Sequence, residues 1–259
     1  MGKNKLARWN ELGGFRMVIQ AEIGAVAGAD HPVKGTWNRE IFRNNNPIVL
    51  ELGCGKGEYT TGLAARFPER NFIGIDIKGA RMWRGAKTAN EANMLTAAFL
   101  RTRIEFVSSF FAENEVDEIW LIFPDPHPGK RNSNKRLTCP WFLNKYRYLL
   151  KEGSLVHLKT DNSELFNYTR NLALNNSLEI LFETSDLYSS GENIRSGFYR
   201  IFSDDIHGTG SNDIADQVLA IRTHYESMFL DKGLKICYLT FRLNKKKIIE
   251  DGWQKTERK

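Results

Sequence analysis

Cysteine is scarce in this 259-residue chain: Cys54, Cys139 and Cys237 are odd in number, far apart and outside any Cys-x-x-Cys spacing. That pattern supports neither a disulfide framework nor a zinc site, and it fits a reducing cytoplasm. No run approaches the roughly eighteen apolar residues of a membrane span. The opening Met-Gly-Lys-Asn-Lys-Leu has no apolar stretch behind it, and Leu6 stands where a myristoylation signal wants Ser or Thr, so no export or lipid address is expected. His127, His157 and His224 have no metal-ligand spacing, and no metal is expected. Internal repeats and low-complexity segments are missing as well.

Apolar residues make up 41% and charged residues 26%, a globular composition. The net charge of +6 and pI near 9.2 favour a polyanionic partner, because clustered cations gain affinity by releasing counterions from phosphates. Lys130, Arg131, Lys135 and Arg136 form such a cluster; Lys245 to Lys247 and the terminal Arg258 and Lys259 add charge in a tail that reads as solvated. Hydrophobic spacing predicts strands at 48–50, 71–76, 104–107, 118–123, 154–160, 178–183 and 236–243. Helices are predicted at 57–67, 80–100, 141–150, 164–174 and 214–230, with a polar loop at 185–212. This alternation predicts one α/β domain, with 1–46 as an N-terminal extension, 47–245 as the catalytic domain and 246–259 as a basic tail.

Between the first strand and helix runs Glu51-Leu52-Gly53-Cys54-Gly55-Lys56-Gly57. Its alternating glycines let backbone approach a ligand that a Cβ would block. A dinucleotide fingerprint needs glycine three positions after Gly55, where Glu58 stands, so NAD is disfavoured. Asp76 ends the second strand, and a carboxylate there suits a pair of hydroxyl donors. The alternative reading is a tight turn with Asp76 capping the next helix.

Phe123-Pro124-Asp125-Pro126-His127-Pro128 follows a buried, aromatic-rich strand, where open α/β sheets bind ligands. The prolines push Phe123 and Asp125 toward extended backbone and present the carboxylate rigidly. The alternative is a proline-rich connection with a solvated basic surface.

A Gly-x-Gly-x-Gly turn after an acidic residue resembles motif I of S-adenosylmethionine-dependent methyltransferases. Together with Pro-Asp-Pro, the basic run, Lys159-Thr160-Asp161-Asn162 and Thr223-His224-Tyr225-Glu226, the chain resembles the bacterial tRNA (guanine-N7-)-methyltransferases. The resemblance implies a Rossmann-like class I fold, with a mainly parallel seven-stranded sheet, helices on both faces and an antiparallel closing strand. It implies S-adenosyl-L-methionine held by Glu51, Gly53, Gly55, Asp76, Ser108 and Asp125, with Asp125 also catalytic. It implies tRNA as partner, touched by Lys130, Arg131, Asp161, Thr223 and Glu226. The family often has an acidic residue at the position of Ser108, a tryptophan at that of His127 and a lysine at that of Gly129. The expected product is 7-methylguanosine in the tRNA variable loop, made by a cytoplasmic monomer or homodimer with no obligate protein partner and no membrane association. A silent RNA-binding relative and a methyltransferase for another base are the alternatives. For Asp161, capping of the next helix is an alternative role.

Overall fold

The computed structural model describes residues 3–189, 192–202 and 211–251. The chain divides into two units, Met1–Trp120 with Tyr148–Lys151, and Leu121–Arg147 with Glu152–Lys259. The strands β5 (Val116–Ile122) and β6 (Leu150–Thr160) each start in the first and continue into the second.

In the first unit the strands β1 (Val18–Gln20), β2 (Ile48–Leu52), β3 (Asn71–Asp76), β4 (Ala97–Arg101) and β5 pair in the order β1-β4-β3-β2-β5. Every adjacent pairing is parallel, with Val18 opposite Phe99, Ile73 opposite Ala98, and Leu50 opposite both Ile73 and Ile119. All five residues of β2 are buried, as expected of a parallel strand covered on both faces, where apolar side chains need not alternate with polar ones. Helices α1 (Lys3–Leu12), α3 (Glu58–Arg66) and α4 (Gly79–Glu91) belong to this unit, along with the short α2 (Ile23–Val26).

Three expectations change here. The segment read as an N-terminal extension contributes α1, whose Glu11 accepts from Trp83 Nε1 of α4 at 2.8 Å, and β1, which raises the strand count among the described residues to eight. The helix predicted at 80–100 stops at Glu91; Asn93 turns the chain at φ 49°, and Ala97–Arg101 forms β4 between β3 and β1. Two alanines look helical by propensity, but pairing on both edges of the strand overrides it. The strand predicted at 104–107 is a 3₁₀ turn, Ile104–Ser109, in which only Val107 is buried.

In the second unit β6, β7 (Ile180–Thr184) and β8 (Cys237–Arg242) pair antiparallel in the order β6-β8-β7, with Leu158 opposite Leu239. The helices are α5 (Pro140–Leu149), α6 (Ser163–Asn175), α7 (Glu192–Phe202), α8 (Ser211–Leu219) and α9 (His224–Asp231). Gly153, read as a helix stop, lies inside β6 with φ 75°, and α5 runs straight into that strand.

The polar loop at 185–212 contains α7. Phe198 packs between Phe182 and Tyr238 at ring distances of 5.8 and 5.1 Å, and a Cβ on Gly197 would meet the Phe182 ring at 2.3 Å. A helix rich in polar residues is thus fixed by one aromatic stripe and one glycine. The single helix at 214–230 is two helices, broken before Thr223, which caps α9. Residues 203–210 of the loop and 252–259 of the basic tail lie outside the described residues.

Candidate functional site

In the first unit the chain leaves β2 through Gly53, Gly55 and Gly57, with φ of 80°, 55° and 69°. These left-handed values favour glycine, and the surroundings of two of the glycines differ. A Cβ on Gly57 would meet Phe99 Cε1 at 2.5 Å and Gly85 Cα at 3.2 Å, so this glycine lets the loop pack on α4. A Cβ on Gly55 would meet nothing within 4 Å. Gly57 is therefore closed in by protein, while Gly55 borders open space.

Asp76 fixes that opening. Its Oδ2 accepts the Gly55 N–H at 2.9 Å and its Oδ1 accepts the Lys78 N–H at 2.7 Å, so each oxygen keeps acceptor capacity for a ligand. Glu51 is buried and accepts from the Thr60 N–H at 2.8 Å and from the Thr60 hydroxyl. Burial raises its pKa to about 8, against the lowering effect of the Thr60 bonds, and the charges of Asp76 and Glu58 push the same way. A carboxylate with spare acceptor capacity beside an open glycine suits a ligand with hydroxyl donors, as S-adenosylmethionine has. Ser108 is half-buried in the 3₁₀ turn, and its hydroxyl has no hydrogen-bond partner among the described residues.

In the second unit Asp125 is exposed and follows a buried Pro124. Phe123 and His127, each preceding a proline, have φ of 47° and 42°. The extended backbone expected at Phe123 is therefore wrong; the residue is left-handed, and its N–H donates to the Lys159 carbonyl at 2.8 Å while its ring lies 5.6 Å from Phe229. Non-glycine residues in this region cost of order 1–3 kcal/mol and persist only where neighbours enforce them.

Arg136 supplies enforcement. It is 3% exposed and donates through Nε to the Pro126 carbonyl at 3.0 Å and through Nη2 to the His127 carbonyl at 3.1 Å. Nη2 also meets Glu164 Oε1 at 2.5 Å, and the guanidinium lies 4.5 Å from the Tyr168 ring centre. Glu164 in turn accepts the Gly129 N–H at 3.1 Å. Sequence reasoning counted Arg136 in the cation cluster expected to meet a polyanion and missed Glu164; nothing in a basic run marks which member turns inward. Lys130 and Arg131, in the 3₁₀ turn Lys130–Lys135, are exposed, as is Lys135.

Asp161 is half-buried at the end of β6, and burial raises its carboxyl pKa. The cap of α6 is Asn162, whose Oδ1 accepts the Leu165 N–H at 2.8 Å, so capping does not occupy Asp161. Thr223 and Glu226 form a capping box on α9, the Glu226 N–H donating to Thr223 Oγ1 at 3.1 Å. Glu226 is fully buried, pairs with Lys159 Nζ at 2.5 Å and accepts from the Tyr188 hydroxyl. The sequence set Thr223 and Glu226 on one helical face; the structure gives them one helix start and adds the unforeseen Lys159 and Tyr188.

A family model described as a putative methyltransferase matches residues 45–197. A 16S rRNA methyltransferase of known structure superposes with a TM-score of 0.57 at 12% identity, covering 83% of this chain and 95% of that one, which shows the shared fold. The fold and the glycine-carboxylate loop thus define a Rossmann-like methyltransferase. The tRNA (guanine-N(7)-)-methyltransferase of Bacteroides fragilis is 44% identical over 94% of this chain and 87% of its own length. That of Porphyromonas gingivalis is 47% identical over 88% and 82%. The chain belongs to the tRNA (guanine-N(7)-)-methyltransferase family.

Proposed function

We propose that this chain transfers the methyl group of S-adenosyl-L-methionine to N7 of a guanine in the tRNA variable loop, giving 7-methylguanosine. The observation that carries the reading is the Gly55–Asp76 pair, an open left-handed glycine held by a carboxylate with acceptor capacity to spare. Gly53, Gly55 and Asp76 would hold the cofactor's ribose end, Glu51 its charged methionine end, and the half-buried hydroxyl of Ser108 its adenine. When bound, S-adenosylmethionine supplies an electrophilic sulfonium methyl.

Guanine N7 carries an in-plane lone pair and no proton, so the reaction requires alignment and charge stabilisation rather than a strong base. Asp125 has the free, exposed carboxylate for this. It would accept the N1 and amino hydrogens of guanine, orient N7, and stabilise the positive charge that develops on the purine. At about 4 Å and an effective dielectric of about 20 such a pair is worth roughly 4 kcal/mol before desolvation. Lys130 and Arg131 would take tRNA phosphates, and Asp161 and the Thr223–Glu226 turn would contact or shape the nucleotide site. The proposed site residues lie within 47–245, to which the first 46 residues add β1 and α1, and the enzyme works in the cytoplasm without an obligate protein partner.

The test is incubation with methyl-labelled S-adenosylmethionine and unmodified tRNA transcripts, followed by nucleoside analysis and mapping of the modified position. Label in 7-methylguanosine of the variable loop is expected. Label in another nucleoside would overturn the target, and no detectable S-adenosylmethionine affinity would favour a silent RNA-binding protein.

A further inference from the structure

A cleft of about 530 Å³ opens in the first unit, lined by Arg8 of α1, Lys56 and Glu58 at the start of α3, and Arg81, Trp83 and Arg84 of α4. Four cations face one carboxylate. None of Arg8, Lys56, Arg81 and Arg84 has an acidic partner among the described residues, whereas Lys87 on the same helix is paired with Glu11 at 3.1 Å and Glu91 at 3.9 Å. Unpaired like charges on one wall repel each other, and a polyanion relieves that repulsion while releasing counterions.

The cleft is also held in shape. Trp83 donates its Nε1–H to Glu11, and its ring is flanked by the Arg8 guanidinium at 4.7 Å and Lys87 Nζ at 5.0 Å. These contacts fasten α1 to α4 and place Arg8 opposite the α4 arginines. Arg81 and Arg84 are exposed, with guanidinium forks free to meet phosphate oxygens two at a time.

We propose that this cleft is a second RNA-binding site, gripping the sugar-phosphate backbone of the tRNA without reading its sequence. The inference rests on tRNA being the substrate, and it gives the first residues of the chain a role in substrate capture. One guanine contact carries little affinity, and a phosphate-holding surface supplies the rest in a salt-dependent way.

The test uses the full chain with Arg81→Ala and Arg84→Ala combined, and the corresponding pair of lysine substitutions as charge-retaining control. Binding of unmodified tRNA is followed by fluorescence anisotropy across a salt series, and S-adenosylmethionine affinity by calorimetry. The alanine pair is expected to weaken tRNA binding by roughly tenfold and to flatten the slope of log K against log salt by about two, with cofactor affinity retained. The lysine pair is expected to keep most of the slope. An unchanged slope in the alanine pair overturns the proposal, as does loss of cofactor affinity with tRNA binding intact, which would assign the cleft to the cofactor. Wild-type protein that binds tRNA through this slope but methylates no guanine would overturn the proposed reaction and leave the cleft standing.

Discussion

Arg136 Nε donates to the carbonyl of Pro126 at 3.0 Å, so the residue after Asp125 is anchored by a cation that is itself 3% exposed. The same guanidinium holds the His127 carbonyl and Glu164, which fixes the turn from three sides. Arg136→Lys keeps a charge but loses the planar fork, and a misplacement of about 1 Å can cost up to a hundredfold in rate. We expect kcat for tRNA methylation to fall tenfold to a hundredfold, with the affinity for tRNA changed little. Steady-state kinetics on the purified variant check this, and an unchanged kcat would contradict it.

Glu51 gives the protein a pH signature. Its carboxyl is raised from 4.5 to about 8, so between those values the folded state retains a proton that the unfolded chain has released. Folding stability should therefore fall as pH rises through that window, and Glu51→Gln should remove the decline. A cationic ligand favours the ionised carboxylate, so S-adenosylmethionine affinity should rise with pH up to about 8 in the wild type and be flatter in Glu51→Gln. Chemical denaturation and calorimetry at several pH values read both; parallel profiles for the two proteins would contradict the assignment.

The two loop glycines separate binding from folding. Gly57→Ala forces a Cβ against Phe99 and the Gly85 backbone at a left-handed position, and should destabilise the fold by about 1–3 kcal/mol. Gly55→Ala meets no protein atom within 4 Å, so its larger effect should fall on cofactor affinity. Melting temperature and cofactor Kd, measured for both variants, should rank them in opposite orders.

The Lys159–Glu226 pair is a buried ion pair whose partners are 1% and 0% exposed. Burial lowers the Lys159 pKa, opposed by the charge of Glu226. Lys159→Met leaves the Glu226 carboxylate buried without its cation, at a cost of about 3–5 kcal/mol. Urea unfolding measures it. Replacing both, as Lys159→Met with Glu226→Gln, should recover part of the loss.

Much of the first unit was legible because its signals are local. Glu51 and Asp76 sit near the ends of β2 and β3, the three glycines take the positive φ that the turn after β2 needs, and the Gly55 N–H donates to Asp76. What stayed hidden depends on the partner a residue finds. Ala97–Arg101 becomes a strand only because two strands flank it, and α7 becomes a helix because Gly197 and Phe198 meet the Phe182 ring. Arg136 is indistinguishable from Lys135 in sequence, yet one is buried and the other exposed. The left-handed Phe123 and His127 run against the backbone preference of residues before proline, so local rules pointed the wrong way where the turn is most constrained.

The most direct test of the account is the single-turnover rate of 7-methylguanosine formation on tRNA by Asp125→Ala, beside its thermal unfolding midpoint. Asp125 is exposed and pairs with no described residue, so the fold should be indifferent to its loss, while the rate should fall by about a hundredfold, roughly 2.7 kcal/mol of transition-state stabilisation. A variant that methylates guanine N7 at the wild-type rate would contradict the assignment of Asp125.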